Sequence, residues 1–423
     1  MIGTLVTNTP PPSLRLLYLT RERHPTQRPD LQVLFGRELP RQGVATDLVA
    51  VGDPGAAWTA GTLHVAAASG RWGRVWAELV LLRGLARWAR GPVDAVQARD
   101  RFFGAWVALR AARRAGKPFF YWMSLPFPDA WLAMAKAPDP TRRGVRAMLK
   151  RLRWGLRGAL AHWILYRHVL PHADHVFAQS EALAEALVAR GLRRERITPV
   201  PMGIDADDMA AVPALSGDAR LSGRRYAVYL GALERARQPD LLVRAFELLR
   251  ETEPDLLLVL AGDSQDAADR DWLRQYIADR RLSGQVIITG WLPPQEARAY
   301  VRGADVAIAT YPRSPVNDLA SPTKMGEYLA LAIPVVANDQ PDQAYLLEQV
   351  GGGVCVPLTA VGVAEGIRTV LADHGRYVAE AIEASVRIVA LRGYGSIARQ
   401  LASCYVEAGR SARTGMHLPV GPV

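Results

Sequence analysis

One lysine and one glutamate stand three residues apart in SPTKMGEYLALAIPVVAND, a segment that begins at Ser321 and soon becomes wholly apolar. Ser321 is a plausible N-cap and Pro322 a plausible first helical residue, with good helix formers following. The free amides and positive dipole end of such a helix make an anion site. Lys324 is unfavourable in that first turn unless an anion binds there. The alternative is an ordinary i,i+3 surface pair of Lys324 with Glu327, and the segment alone leaves both open.

A second set of candidates follows strand-like segments. Gly231 closes RYAVYLG, and Arg235 and Arg237 fall in the turn before the next helix. Arginines at a strand end can bind phosphate oxygens with paired donors, although a solvated turn is the alternative. Glycine also ends two other such segments, Gly262 in AGDS and Gly290, beside Trp291, in TGW. At these positions the backbone can approach a ligand closely.

Short apolar runs alternate with helix-patterned segments along both halves of the chain. The first half contains LRLLYL, TDLVAVG, VDAVQA, PFFYWMSL and ADHVFAQS, and the second contains RYAVYLG, DLLLVLAG, QVIITG, ADVAIAT, AIPVVA and GVCVP. This alternation predicts an α/β fold with parallel sheets, whose ligands lie beyond the carboxyl ends of the strands. We therefore predict two doubly wound, Rossmann-like domains that face each other across a cleft.

A chain of 423 residues exceeds the size at which one hydrophobic core usually keeps growing. We predict an N-terminal domain over 1–210, a linker rich in Gly, Ser and Pro over 211–225, and a C-terminal domain over 226–395. A final helix and tail over 396–423 can cross back to the N-terminal domain.

Composition narrows the class of protein. The hydrophobic content of 49% with 22% charged residues is ordinary for a soluble globular protein. Two cysteines, Cys355 and Cys404, argue against a disulfide framework or a structural zinc site and fit a reducing compartment. We find no secretory signal and no long apolar run, so a cytoplasmic protein is expected. The formal charge of +11 favours polyanionic partners: nucleic acid, an anionic membrane surface or phosphorylated substrates.

In these motifs the C-terminal half resembles the retaining glycosyltransferases of family 4, which have the GT-B architecture. One branch of this family typically reads SPTKxxEYMAxGxPVVAN. This chain is similar to that branch in the order of its motifs, which are Gly231 and Arg237, AGD, TG, AD, SPTKMGEYLALAIPVVAND and GGGVCVP. The similarity is strong over 225–360 and weak over 14–205. It implies transfer of a sugar from a nucleoside-diphosphate donor.

The resemblance also implies roles for individual residues. Glu327 matches the second glutamate of the family's E-x7-E motif, which binds the nucleotide ribose. Arg237 matches the residue that binds the donor diphosphate, and Gly231 the glycine that lets the phosphate approach. The turn whose amides face the diphosphate matches Ser321, Pro322 and Thr323, with Lys324 beside it.

The chain departs from the family pattern at three places. Leu319 stands where the first glutamate of E-x7-E is expected, with Asp318 adjacent as a candidate substitute. The N-domain histidine is absent, and Ser124 in FFYWMSLPFP is the nearest polar group. The usual glycine-rich loop after the first strand is replaced by RERHPTQRPD.

A mechanism follows from the charges. A nucleoside-diphosphate leaving group needs stabilisation by fixed cations and N–H dipoles, which Arg237, Lys324 and the Ser321 helix start would supply. No acidic pair suggests a metal, so we expect neither a metal nor another cofactor beyond the donor substrate. No enzymic nucleophile is evident, which suits front-face attack with the leaving phosphate as base. Retention of configuration is implied by the resemblance alone.

Two basic segments, 71–90 and 142–167, carry aromatic residues in the half expected to bind acceptor. In the second, Arg143, Arg146, Lys150, Arg153 and Arg157 recur at helical spacing, and Val145, Leu149, Leu152 and Leu156 lie on another side. Such a helix favours peripheral binding to an anionic membrane at its cytoplasmic face, with a lipid-linked or polysaccharide acceptor. The alternative is a solvated cationic face above an ordinary core stripe.

Other functions remain open at this point. A nucleotide-sugar epimerase shares the fold but needs no lipid. A catalytically inactive nucleotide-sugar-binding partner in an assembly complex is consistent with Leu319 and the absent histidine. No nucleic-acid reader motif is present, so nucleic-acid binding is not expected.

Overall fold

The computed structural model of the protein describes residues 13–136, 145–215 and 217–414. The chain divides into two compact units, Met1–Pro201 with Tyr394–Val423, and Met202–Gly393. The stretch 211–225, predicted as a linker, lies inside the second unit. There Leu221 is buried at the end of a short 3₁₀ turn.

All thirteen strands of the described residues lie in two sheets. They are β1 (Leu14–His24), β2 (Val44–Gly52), β3 (Leu63–Ala66), β4 (Ala95–Arg99), β5 (Phe119–Met123), β6 (His175–Ala178), β7 (Ile197–Pro199), β8 (Tyr226–Leu230), β9 (Leu257–Ala261), β10 (Val286–Ile288), β11 (Val306–Ala309), β12 (Val335–Asn338) and β13 (Gly353–Val356). Most read as continuous apolar runs, as expected for parallel strands covered on both faces. The strand β3 was not predicted, because its sequence LHVA is only half-buried and lacks that run.

Helices connect the strands. They are α1 (Leu39–Arg41), α2 (Gly70–Trp88), α3 (Phe103–Arg114), α4 (Phe127–Lys136), α5 (Val145–Trp163), α6 (Glu181–Ala189), α7 (Ala206–Ala210), α8 (Pro239–Leu249), α9 (Ala267–Asp279), α10 (Pro294–Arg302), α11 (Lys324–Ala330), α12 (Pro341–Val350), α13 (Ala360–Ala372), α14 (His374–Arg392) and α15 (Tyr394–Thr414). Two π-helical segments, Asp30–Glu38 and Ile164–Val169, precede α1 and follow α5. In the part of the chain that the structure describes, no helix is both long enough and apolar enough to cross a membrane.

The first unit is a seven-stranded parallel sheet with the order β3-β2-β1-β4-β5-β6-β7. The helix α15 belongs to this unit. Its Tyr405 packs against Phe120 and Phe177, and the Tyr405 hydroxyl donates to Gln97 Oε1 over 2.7 Å. The C-terminal helix is therefore part of the hydrophobic core of the first unit.

The second unit is a six-stranded parallel sheet with the order β10-β9-β8-β11-β12-β13. Along β9, Leu258 and Leu260 join one hydrophobic cluster while Leu257 and Val259 join another, so both faces are buried. The chain moves from β8 out to β10, then returns to β11 and continues the other way. The switch point lies between β8 and β11, where such sheets form a crevice. The predicted fold class, two doubly wound parallel sheets, is confirmed.

Candidate functional site

The helix that carries Lys324 and Glu327 begins later than predicted. Helix α11 starts at Lys324, and Thr323 is the residue before it, with no side-chain capping bond. The prediction that Ser321 is the N-cap and Pro322 the first helical residue is therefore wrong. Pro322 and Thr323 are half-buried in the turn that leads into the helix.

Ser321 does not cap the helix because its hydroxyl has other partners. Ser321 Oγ accepts from the Met202 amide over 3.1 Å and donates to Asp342 Oδ2 over 2.8 Å. The other oxygen of Asp342 accepts from Arg392 Nη2 over 2.8 Å, and both of these charged side chains are buried. The network fixes the loop before α11 to α12 and α14 and so positions Lys324.

Two glycines let the backbone and Lys324 approach each other at the carboxyl edge. Gly231 follows β8 with φ +148°, and a Cβ there would lie 2.7 Å from Lys324 Nζ. Gly262 follows β9 with φ +150°, and a Cβ there would lie 2.1 Å from the Gly231 carbonyl oxygen. The hydroxyl of Tyr328 in α11 accepts from the Leu230 amide over 2.9 Å, which ties the helix to the end of β8. The positive φ favours glycine at both positions, and at Gly262 the Gly231 carbonyl also leaves no room for a side chain.

Lys324 and Arg237 place two positive charges at this edge. Lys324 Nζ lies 3.8 Å from the centroid of the Tyr229 ring, and the Arg237 guanidinium carbon lies 5.3 Å from that of Tyr311. Among the described residues, no carboxylate lies within ion-pair distance of either cation. Burial, followed by the nearby charge of Arg237, lowers the pKa of Lys324 to about 7. The charges of Glu327 and Glu234 act against this shift but do not offset it, so a bound anion would favour the protonated lysine.

Glu327 lies one helical turn further on and is held by a residue that the sequence did not reveal. Arg298 of α10 donates from Nε to Glu327 Oε2 over 3.3 Å and from Nη1 to Asp208 Oδ2 over 2.8 Å. Burial raises the pKa of Glu327, and the charge of Arg298 acts against that shift. The side chain of Glu327 is 19% exposed, so it is not fully enclosed. Nothing in the spacing of QEARAYVRG marks Arg298, because its partners lie on distant elements.

Arg235 is oriented differently from Arg237. Its Nε donates to Asp269 Oδ1 over 3.0 Å, its amide donates to Asp269 Oδ2 over 3.1 Å, and its guanidinium lies over the ring of Trp272. The charge of Arg235 is therefore already balanced, whereas that of Arg237 is not.

Asp318 also has a strong partner. Its carboxylate accepts from Arg313 Nε and Nη2 over 2.7 and 3.1 Å, and the same guanidinium contacts Asp339 at 2.9 Å. Gln340 holds the end of the turn Asn317–Leu319, because its Nε2 donates to the Ala320 carbonyl over 2.9 Å. Asp318 remains a candidate whose carboxylate is oriented by an arginine.

Gly290 and Trp291 lie beside Gly262. Thr289 Oγ1 accepts from the Gly262 amide over 3.1 Å and donates to the Gly290 carbonyl over 2.9 Å. Gly290 has φ +77°, and Trp291 is exposed. An exposed ring at a strand end is suited to lie against a flat ligand group.

The first unit has a buried polar cluster at the carboxyl edge of its own sheet. Arg99, the last residue of β4, donates from Nε to Ser124 Oγ over 3.0 Å and from Nη2 to Asp30 Oδ2 over 2.5 Å. Burial would raise the pKa of Asp30, but the charges of Arg99 and Arg28 outweigh it and hold that pKa well below its usual range. Sequence reasoning named Ser124 but missed Arg99 and Asp30, which are far apart in the chain.

Two family models match most of the chain. The model described as Glycosyltransferase Family 4 matches residues 33–208, and the model described as Glycosyl transferases group 1 matches residues 224–373. The two matches fall in the first and second units respectively, apart from a few residues at the boundary.

Named relatives and solved structures agree with these models. Glycogen synthase of Mycobacterium tuberculosis is 27% identical over 221 residues, 51% of this chain and 50% of that protein. A Bacillus subtilis glycosyltransferase named for teichuronic acid biosynthesis, TuaH, is 27% identical over 195 residues, 44% of this chain and 46% of that protein. The chain thus spans about half the length of these curated relatives. The structure of HepE of Anabaena in complex with UDP matches with a TM-score of 0.63 at 17% identity, over 93% of this chain and 100% of that chain.

Proposed function

We propose that this chain, which glycosyltransferase family models match in both units, transfers a sugar from a nucleoside-diphosphate sugar, with UDP or GDP as the nucleotide. The observation that carries the proposal is the pair Lys324 and Arg237 at the switch point of the second sheet, neither of which forms an ion pair with a carboxylate of the described residues. Diphosphate oxygens are the ligands that such a pair would bind. HepE, which shares the fold, was solved with UDP and with UDP-glucose, and this supports the choice of donor.

In this proposal each site residue acts on one part of the donor. Lys324 and Arg237 neutralise the diphosphate as the bond from the sugar carbon to the leaving oxygen breaks. Gly231 and Gly262 leave room for the phosphates, and the Glu327 carboxylate accepts from the ribose hydroxyls. Trp291 and Gly290 contact the base.

The reaction we propose retains the configuration of the transferred sugar and uses no metal ion. The acceptor hydroxyl forms the new bond to the sugar carbon on the same face, and its proton passes to the leaving phosphate. In this reaction the fixed cations of the protein neutralise the charge of the leaving diphosphate, as a divalent ion does in other transferases. Activity that survives a chelator supports this reaction, and activity that returns only with an added divalent ion contradicts it.

For the acceptor we propose a lipid-linked or polysaccharide glycan of the cell surface, reached from the cytoplasmic face of the membrane. The likeness to TuaH, whose name refers to teichuronic acid, supports this class. The basic helices of the first unit support it independently.

The test is turnover of a panel of UDP-, GDP- and dTDP-sugars, preceded by a thermal-shift screen for binding. We expect one donor class to raise the unfolding temperature and to be hydrolysed slowly without acceptor. Glu327→Ala should reduce that turnover, and intact turnover in this variant would refute the site. Binding without turnover of any donor would favour the inactive partner, whereas conversion of the donor to an epimer would favour an epimerase.

A further inference from the structure

The helix α5 exposes an apolar stripe that nothing in the described first unit covers. Met148, Leu149, Leu152, Leu156, Leu160 and Trp163 repeat at helical spacing, and each is between 55% and 64% exposed. Monomeric soluble proteins rarely leave a continuous apolar row of this length in water. The alternative of an ordinary core stripe is therefore wrong for these residues.

The stripe is exposed because α5 packs through a different face. Gly158 and Gly155 lie against Leu132 and Ala135 of α4, and the Arg157 guanidinium lies 4.0 Å from the centroid of the Trp131 ring. These contacts fix the orientation of the helix and leave the stripe pointing away from its neighbour.

Cations lie beside the stripe without carboxylate partners. Lys150 and Arg153 make no ion pair with any described residue, and neither do Arg151 and Arg157, whose guanidinium groups contact α4. The sequence has no Asp or Glu between Asp139 and Asp174. Residues 142–144, also part of the predicted segment, lie outside the described residues, as does the side chain of Arg146. An apolar row flanked by long basic side chains is the pattern of a helix that lies in the plane of an anionic membrane.

The helix α2 exposes a second row of the same kind. Trp72 is 78% exposed, and Val75, Trp76 and Leu79 are exposed on the same side. Tryptophan is the residue that membrane–water interfaces favour. Arg101 links α2 to β1, since it contacts Glu78 and donates to the Thr20 carbonyl over 2.8 Å. Arg21, the next residue of β1, lies over the Phe127 ring of α4, the helix against which α5 packs.

We propose that the α5 stripe and the α2 row form one surface that docks the first unit on an anionic lipid bilayer. Resting on the proposed function, the surface would hold the carboxyl edge of the first sheet where a lipid-linked acceptor presents its head group. A second copy of the chain is a poorer occupant, because the same cations would face each other across that interface.

The experiment is co-sedimentation of the full chain with vesicles of phosphatidylcholine alone or mixed with phosphatidylglycerol. The wild-type chain sediments with the mixed vesicles, and added salt weakens the binding. Leu152→Asn with Leu156→Asn weakens it roughly tenfold, because two apolar side chains leave the interface. Lys150→Gln with Arg153→Gln weakens it by a similar factor, roughly tenfold or more, since each cation near an anionic surface contributes.

The matched control is Ile382→Asn with Val386→Asn on α14, two exposed apolar residues at the same spacing in the second unit. This control keeps wild-type vesicle binding, and all variants keep the wild-type unfolding temperature. No sedimentation of the wild-type chain, equal sedimentation with phosphatidylcholine alone, or an unaffected stripe variant overturns the proposal. Self-association without lipid that the stripe variant abolishes also overturns it, in favour of a dimer.

The experiments distinguish an error in the proposed membrane surface from an error in the proposed function. The stripe variant retains the affinity for UDP or GDP of the wild-type chain, because its substitutions lie in the other unit. Vesicle binding by a chain that binds no nucleotide leaves the surface standing and refutes the donor site.

Discussion

Arg298 holds Glu327 and Asp208 with one guanidinium, donating to Glu327 over 3.3 Å and to Asp208 over 2.8 Å. The arginine comes from α10 and the glutamate from α11, so the contact sets the direction of the carboxylate as well as its charge. Arg298 is therefore a positioning residue for the group that we assign to the ribose.

Replacing Arg298 changes how nucleotide binding depends on pH. In Arg298→Met the pKa of Glu327, already raised by burial, rises further because the opposing cation is lost. The carboxylate form is then lost as pH falls through that raised pKa. We expect UDP or GDP affinity to fall roughly tenfold, and to fall further as the solution is made more acidic, with a steeper pH dependence than in the wild-type chain.

Titration calorimetry at a series of pH values checks the prediction. Arg298→Lys should recover part of the affinity, and Arg244→Met, which removes an exposed helix pair, is the control. Parallel pH profiles for Arg298→Met and the wild-type chain would show that Arg298 does not position Glu327.

Arg237 and Arg235 form a matched pair for the diphosphate. Arg237 has no carboxylate partner within the described residues, whereas Arg235 is paired with Asp269. Arg237→Met should weaken nucleoside-diphosphate binding by about 1.5–3 kcal/mol, since a charge-assisted contact is lost. Arg235→Met should change it little. Calorimetry measures the nucleoside-diphosphate affinity of both variants. A larger loss of affinity in Arg235→Met would assign the diphosphate contact to Arg235 instead of Arg237.

We expect Lys324 to make donor binding depend on pH. Its pKa of about 7 in the free protein means that the cation is progressively lost as pH rises above that value. A bound diphosphate favours the protonated form, so binding takes up a proton and affinity falls with rising pH. We expect a decrease of up to about tenfold per pH unit above neutrality. Lys324→Met should bind weakly and show a flat profile, and a flat wild-type profile would contradict this role.

Replacing Gly231 tests whether the close approach of Lys324 to the backbone is essential for nucleotide binding. A Cβ at this position would meet Lys324 Nζ at 2.7 Å on a backbone with φ +148°. Gly231→Ala should displace the lysine and weaken nucleotide binding more than roughly tenfold, at a stability cost of about 1–3 kcal/mol. Gly284→Ala, in an open turn with nothing within 4 Å, is the control. Denaturant unfolding and nucleotide titration measure the two effects, and a Gly231→Ala chain with normal affinity would remove the steric argument.

The sequence predicted the fold, and it located part of the candidate site, for physical reasons. Parallel strands buried on both faces leave continuous apolar runs such as that of β9, and glycines such as Gly231 and Gly262 mark strand ends that need unusual backbone. These signals are local. The helix start at Lys324 instead of Ser321 was not predictable, because the partners of Ser321 are Met202 and Asp342.

Long-range ion pairs were missed for the same reason. Arg298 and Asp208 are ninety residues apart, and Arg99 and Asp30 are sixty-nine apart, so no spacing rule connects them. The different environments of Arg235 and Arg237 also required the structure. In the sequence they are two arginines of one turn, and only the position of Asp269 tells them apart.

The most direct test of the proposed diphosphate site compares three ligands by titration into the wild-type chain: a nucleoside diphosphate, the corresponding monophosphate and the free nucleoside. A site built on Lys324 and Arg237 should bind the diphosphate at least roughly tenfold more tightly than the monophosphate, and the nucleoside most weakly. Equal affinities across the series, or no binding of UDP or GDP at all, would contradict the account.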